Sequence, residues 1–149
     1  MIALCCMLAP AVSGRMAFAR DNGDPDSIIG TYSVTHKGEV SKVRISGNGD
    51  GTYDAQVFWV KNRLDAGGRV RKDGKNPDKR LRDVDCDRIF LFKGLRYNRK
   101  ERCWDGTKIY DPVRGINADV RVVWKDSGTL LLKGTKLGVS ETVCWTKLP

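Results

Sequence analysis

Four carboxylates, Asp73, Asp78, Asp105 and Asp111, offer this chain the most chemistry, since a pair of them meeting at one place could divide acid and base work. Two of them flank proline, in Asn76-Pro77-Asp78 and Asp111-Pro112, where a carboxylate more commonly accepts the backbone N–H groups of a turn. Arg82 is read as the partner of such a carboxylate in preference to a ligand clamp. His36 is the single imidazole and sits in a Thr-His-Lys-Gly turn, which disfavours a histidine-activated nucleophile. Cys86, Cys103 and Cys144 are scattered singly and form no zinc ligand set. Gly47-Asn48-Gly49-Asp50-Gly51 lacks the ligand spacing and closing Glu of a calcium loop and reads as a hairpin turn. No metal and no cofactor is implied, and the chain is read as non-enzymatic.

The elements that would position these groups are β-strands. Short apolar runs alternate with Gly, Asn, Asp and Pro clusters, and no long helical period appears. The runs are 28–35, 41–46, 52–60, 88–92, 102–110, 116–124, 129–133 and 139–147. The sixth is the cleanest, with Ile116, Ala118, Val120, Val122 and Trp124 on one face against Asn117, Asp119 and Arg121 on the other. In the third, Tyr53, Ala55, Val57 and Trp59 share the face expected to point inward. A turn is expected around Gly94. Residues 61–85 form a long, charged loop, of a length that is often functional. Eight strands in this order suit an all-β, antiparallel, up-and-down barrel with the long loop between strands three and four.

The chain has 149 residues, of which 1–19 differ in composition from the rest. An apolar run Ile2 to Val12, a Ser13-Gly14 break and Ala17-Phe18-Ala19 form a signal peptide with cleavage expected after Ala19, although no basic residue precedes the run. The run is too short to span a bilayer core of about 30 Å. Residues 20–149 then make one exported domain, periplasmic or secreted. Its three cysteines allow one disulfide and one free thiol, or three buried thiols. Lys and Arg exceed Asp and Glu by 27 to 18, a formal +9. The basic residues are interspersed with acids, so a solvated basic surface is favoured and no nucleic-acid partner is expected. A monomer is the expected state.

With these motifs in place, the chain resembles the bacterial family called domain of unknown function 2147. The resemblance rests on Gly30-Thr31-Tyr32, Val57-Phe58-Trp59, Asn76-Pro77-Asp78 with Leu81-Arg82, and Ile109-Tyr110-Asp111-Pro112, in that order. It departs from the family pattern at Tyr32, at Val84-Asp85 and at Asp87, so the exit from the long loop is expected to differ. The resemblance implies a small, exported, lipocalin-like barrel and brings no established activity.

A barrel of eight strands is just wide enough to be filled by side chains or to hold one small ligand. The leading expectation is a small apolar or amphipathic ligand, with Trp59, Arg82, Trp104 and Tyr110 near it and Asn76, Asp78 and Asp111 forming the motif loop. Two alternatives stand beside it: an envelope module whose basic surface binds anionic polymers or a partner protein, and a hydrolase using the loop carboxylates.

Overall fold

The computed structural model describes residues 22–149. The leader 1–19 and its cut after Ala19 lie outside the described residues. The strands are β1 (Gly30–His36), β2 (Glu39–Gly47), β3 (Thr52–Val60), β4 (Phe90–Asn98), β5 (Cys103–Asp105), β6 (Lys108–Asp111), β7 (Ile116–Asp126), β8 (Thr129–Lys136) and β9 (Val139–Lys147). All pair antiparallel with their neighbours, and β1 also pairs with β9. Strands β5 and β6 are two pieces of one strand, interrupted at Gly106 with φ +86°. The first piece pairs with β4 and touches β7 at Trp104–Val122, and the second pairs with β7. The result is a closed, eight-stranded barrel, its ends joined through β5 and β7.

Two bulges explain where the strands depart from the sequence reading. Gly94 is not a turn: β4 runs on to Asn98, and Lys93-Gly94 bulges opposite Asp54, whose carboxylate accepts the Gly94 N–H at 2.9 Å. Glycine suits this because φ is +72° there. On β3, Lys42 faces Trp59 while Val43 faces Val57, so Phe58 is an extra residue. The parity flips beyond it. Val60 packs on the core, and Trp59 turns outward, 41% exposed, under the Lys42 ammonium at 4.9 Å.

The base of the barrel is sealed by Asn22–Ile29, whose Ile28, read in the sequence as the start of the first strand, lies instead in a helical turn ahead of β1. Pro25–Ile28 is a single 3-10 turn, started by Asp24, which accepts the Asp26 N–H. Aromatic polar tips converge on it. Trp104 Nε1 donates to the Pro25 carbonyl at 3.0 Å, Trp124 Nε1 to Ser27 Oγ at 2.8 Å, Tyr32 Oη to the Ile28 carbonyl at 2.7 Å and Tyr53 Oη to Asp26 at 2.6 Å. Asn22 adds a bond from the Trp124 N–H at 2.8 Å. Burying these rings takes apolar area out of water, and the bonds spare each ring an unmatched donor.

The long loop is an ordered flap across the opposite end. Leu64 pairs with Val70 and Lys72 with Asp85, and Asp73 N–H donates to the Val84 carbonyl at 2.9 Å. Its exit is tied by side chains at the positions where the family pattern is not followed. Asp85 pairs with Lys72, and Asp87 pairs with Arg63 at 2.7 Å. No disulfide joins any described cysteine. Cys86 and Cys103 are buried thiols, pushed above their ordinary range by that burial.

Candidate functional site

Between the aromatic floor and the flap lies a cavity of about 790 Å³. Val34, Val57, Leu91, Ala118 and Leu132, from five different strands, wall it. Trp145 is its floor, packed against Phe92 and Tyr32 with ring centroids 6.1 Å away in each case. Beneath Trp145 the lumen is filled by Tyr32, Trp124 and Trp104. Tyr32, Phe92, Trp104, Trp124 and Trp145 are therefore gathered in one half of the lumen, which leaves the half beneath the flap, where Tyr110 stands, open.

The rim is charged and largely self-paired. Arg71 makes a two-pronged contact with Glu39, at 3.0 Å on each prong. Asp111 accepts from Arg114 Nε at 2.6 Å and lies 3.1 Å from His36 Nε2. Burial works against the charge on Asp111, yet the Arg114 and His36 contacts together outweigh it and hold its carboxyl below the usual range. Glu141 joins this group through Arg114 at 2.5 Å and Lys37 at 3.5 Å. Among the described residues, Lys75 reaches only a backbone oxygen, the Val113 carbonyl at 2.9 Å.

The flap is locked to the barrel where the Asn-Pro-Asp and Tyr-Asp-Pro motifs meet. Asp73, 4% exposed, accepts from Tyr110 Oη at 2.7 Å and from Asn76 Nδ2 at 2.8 Å. Burial first, and then this bond to Asp73, push the Tyr110 phenol well above its ordinary value. Asn76 Oδ1 accepts the Asp78 N–H at 2.9 Å, and Arg82 Nε donates to the Asn76 carbonyl at 2.7 Å. Asp78 caps the short 3-10 turn Lys79–Leu81 and pairs with Arg80. Tyr110→Phe removes one of two donors to a buried carboxylate, so it should cost about 1–3 kcal/mol. Urea unfolding with an unchanged m-value would check it.

Of the residues expected near a ligand, Tyr110 and Asp111 line the cavity. Three others do not. Trp59 faces solvent because of the β3 bulge, Trp104 is a fully buried part of the base seal, and Arg82 braces the flap backbone from outside. Asn76 and Asp78 likewise shape the flap without lining the cavity. The four carboxylates do not converge: Asp73 and Asp111 line the cavity, whereas Asp105 lies on β5 bonded to Asn98 and Asp78 stays with Arg80. The sequence reading missed Trp145 as the floor and the flap residues Arg71 and Lys75. Asp73 is a candidate carboxylate in the sequence, but nothing in the loop's pattern marks it as buried.

No curated protein matches the chain. Among solved structures it is similar to Protein HP1028 from the human pathogen Helicobacter pylori, a protein described as belonging to the lipocalin family. The two share 23% identity over 82% of this chain and 83% of that one, with a TM-score of 0.66, which establishes the shared fold. The model of DUF2147, described as an uncharacterized protein conserved in bacteria, matches residues 30–147. With the barrel, the flap and both flap-locking motifs inside that span, the chain belongs to the DUF2147 family.

Proposed function

We propose that this protein is a non-enzymatic carrier of one small amphipathic molecule, exported by its leader and cut after Ala19. The observation that carries the reading is the cavity of about 790 Å³, apolar below and charged at its rim. That size and lining fall within the ordinary range of small-molecule sites, roughly 300–1,000 Å³. An apolar tail placed against Val57, Leu132 and Trp145 removes its surface from water, worth about 25 cal/mol per Å². An anionic head is favoured at the rim beside Lys75, which has no carboxylate partner among the described residues, whereas Asp111 and Glu141 are paired with Arg114 and both oxygens of Asp73 are taken up by Tyr110 and Asn76.

Native mass spectrometry of protein recovered from its own host reads a retained ligand directly. Titration with a fatty acid, the matching alcohol and the matching amine then ranks head groups through quenching of Trp145 fluorescence. Ala118→Trp should fill the cavity and weaken binding of the acid at least about tenfold. Equal binding by Ala118→Trp and the parent protein would remove the cavity from the reading.

A further inference from the structure

The tip joining β8 to β9, Leu137-Gly138, stands at the mouth and breaks two rules at once. Its φ values are +50° and +78°, a primed turn whose first position favours Asn, Asp or Gly over a branched apolar residue. Leu137 is also 94% exposed, with Val139 beside it at 73%, while the next most exposed large apolar residue, Leu64, reaches 52%. A leucine that is both conformationally disfavoured and offered to water is stabilising nothing in the barrel. Such outliers point toward function. The adjacent tip, Lys37-Gly38, has nearly the same backbone, at +49° and +81°, but carries a cation. Lys136 precedes Leu137, and the nearest acid along β9, Glu141, is engaged by Arg114 and Lys37. The mouth therefore presents two bare apolar side chains on a tight turn, flanked by lysines.

We propose that this tip docks the barrel onto the surface of an anionic lipid bilayer, with Leu137 and Val139 entering the headgroup layer and Lys136 meeting lipid phosphates, while Lys37 on the adjacent tip is paired with Glu141. Two projecting side chains make too small a patch for a protein partner, which needs on the order of 1,000 Å² of buried surface. They suit shallow insertion, where apolar burial and attraction to anionic lipid add together. Leu137, Val139 and Lys136 also line the cavity's opening, so a docked barrel turns its mouth to the membrane. The docking does not require the cavity to be filled, so it stands or falls separately from the carrier reading.

The test is co-sedimentation with vesicles of phosphatidylcholine, alone or mixed with phosphatidylglycerol, using protein from cells expressing the whole chain. Parent and variants share one N-terminus, so its contribution cancels. The parent should bind the mixed vesicles, more weakly as salt rises. Leu137→Asn should lower that binding about tenfold and Lys136→Glu about fivefold. Because Asn is at home in a primed turn, Leu137→Asn should melt at the parent's temperature or above it, which separates docking from folding. Unchanged vesicle binding by Leu137→Asn overturns the proposal. So does equal binding to phosphatidylcholine alone, or a solution dimer that Leu137→Asn dissolves while vesicles stay unbound.

Discussion

Gly115→Val should lower the thermal midpoint by roughly 6–15 °C, on the scale that relates a few kcal/mol to melting in a domain of this size. Gly115 follows the Asp-Pro turn with φ +68°, and a Cβ placed on it would lie 2.2 Å from the Lys75 carbonyl oxygen. The obstacle is backbone, so a rotamer change cannot clear it. Forcing an L-residue into the left-handed region costs about 1–2 kcal/mol. The overlap adds about 1–3 kcal/mol. Gly38→Ala is the control: its φ is +81° but its Cβ would meet nothing within 4 Å, so only the backbone part applies. Hydrogen exchange should locate the difference, with the Asp73 and Cys86 amides, which bond Val84 and Arg71 within the flap, losing protection in Gly115→Val alone. If Gly115→Val melts no lower than Gly38→Ala, the flap is not held by this contact.

A steep loss of stability in alkali is the second large effect expected. Tyr32 is held above its ordinary value by burial, and Tyr53 and Tyr110 by burial followed by their bonds to Asp26 and Asp73. In the unfolded chain each ionises near pH 10. The fold keeps its three protons while the unfolded chain releases them, so the unfolded state binds fewer protons and stability falls as pH rises. Below about pH 10 the three phenols add no slope. Above it they remove up to about 4 kcal/mol per pH unit, three times the value of one proton. Urea midpoints measured across this window should drop, and phenolate absorbance should rise together with loss of the β-sheet signal. Phenolate appearing for all three while the barrel stays folded would show that they are not sealed. Tyr32→Phe should reduce the slope by about a third.

Much of the barrel is legible in the sequence because a two-residue period survives wherever one face is wet. Ile116 to Trp124 shows this, and the observed β7 holds Val120, Val122 and Trp124 buried. The reading lost Trp59 because one inserted residue, Phe58, reverses parity without any compositional mark. Gly94 misled for a related reason: a left-handed glycine serves a bulge and a turn equally well. The flap's role was half visible, since two proline motifs stood out but their meeting through Tyr110 and Asp73 spans 37 positions. The base seal was largely invisible: Ile28 stands in the first apolar run, but 22–27 acts through backbone carbonyls and short polar side chains that carry no periodicity.

That seal has a consequence for the order of assembly. Asn22 bonds a residue 102 positions away and Pro25 one 79 positions away, so the earliest described segment, which can meet Tyr32 and Tyr53 early, completes its set of partners only once β5 and β7 exist. Closing loops of that length costs entropy long before any contact rewards it. The lumen's lower half must therefore be plugged near the end of folding, and Tyr32 and Tyr53, which stand early in the chain, wait for Trp104 and Trp124 until nearly the whole polypeptide is available.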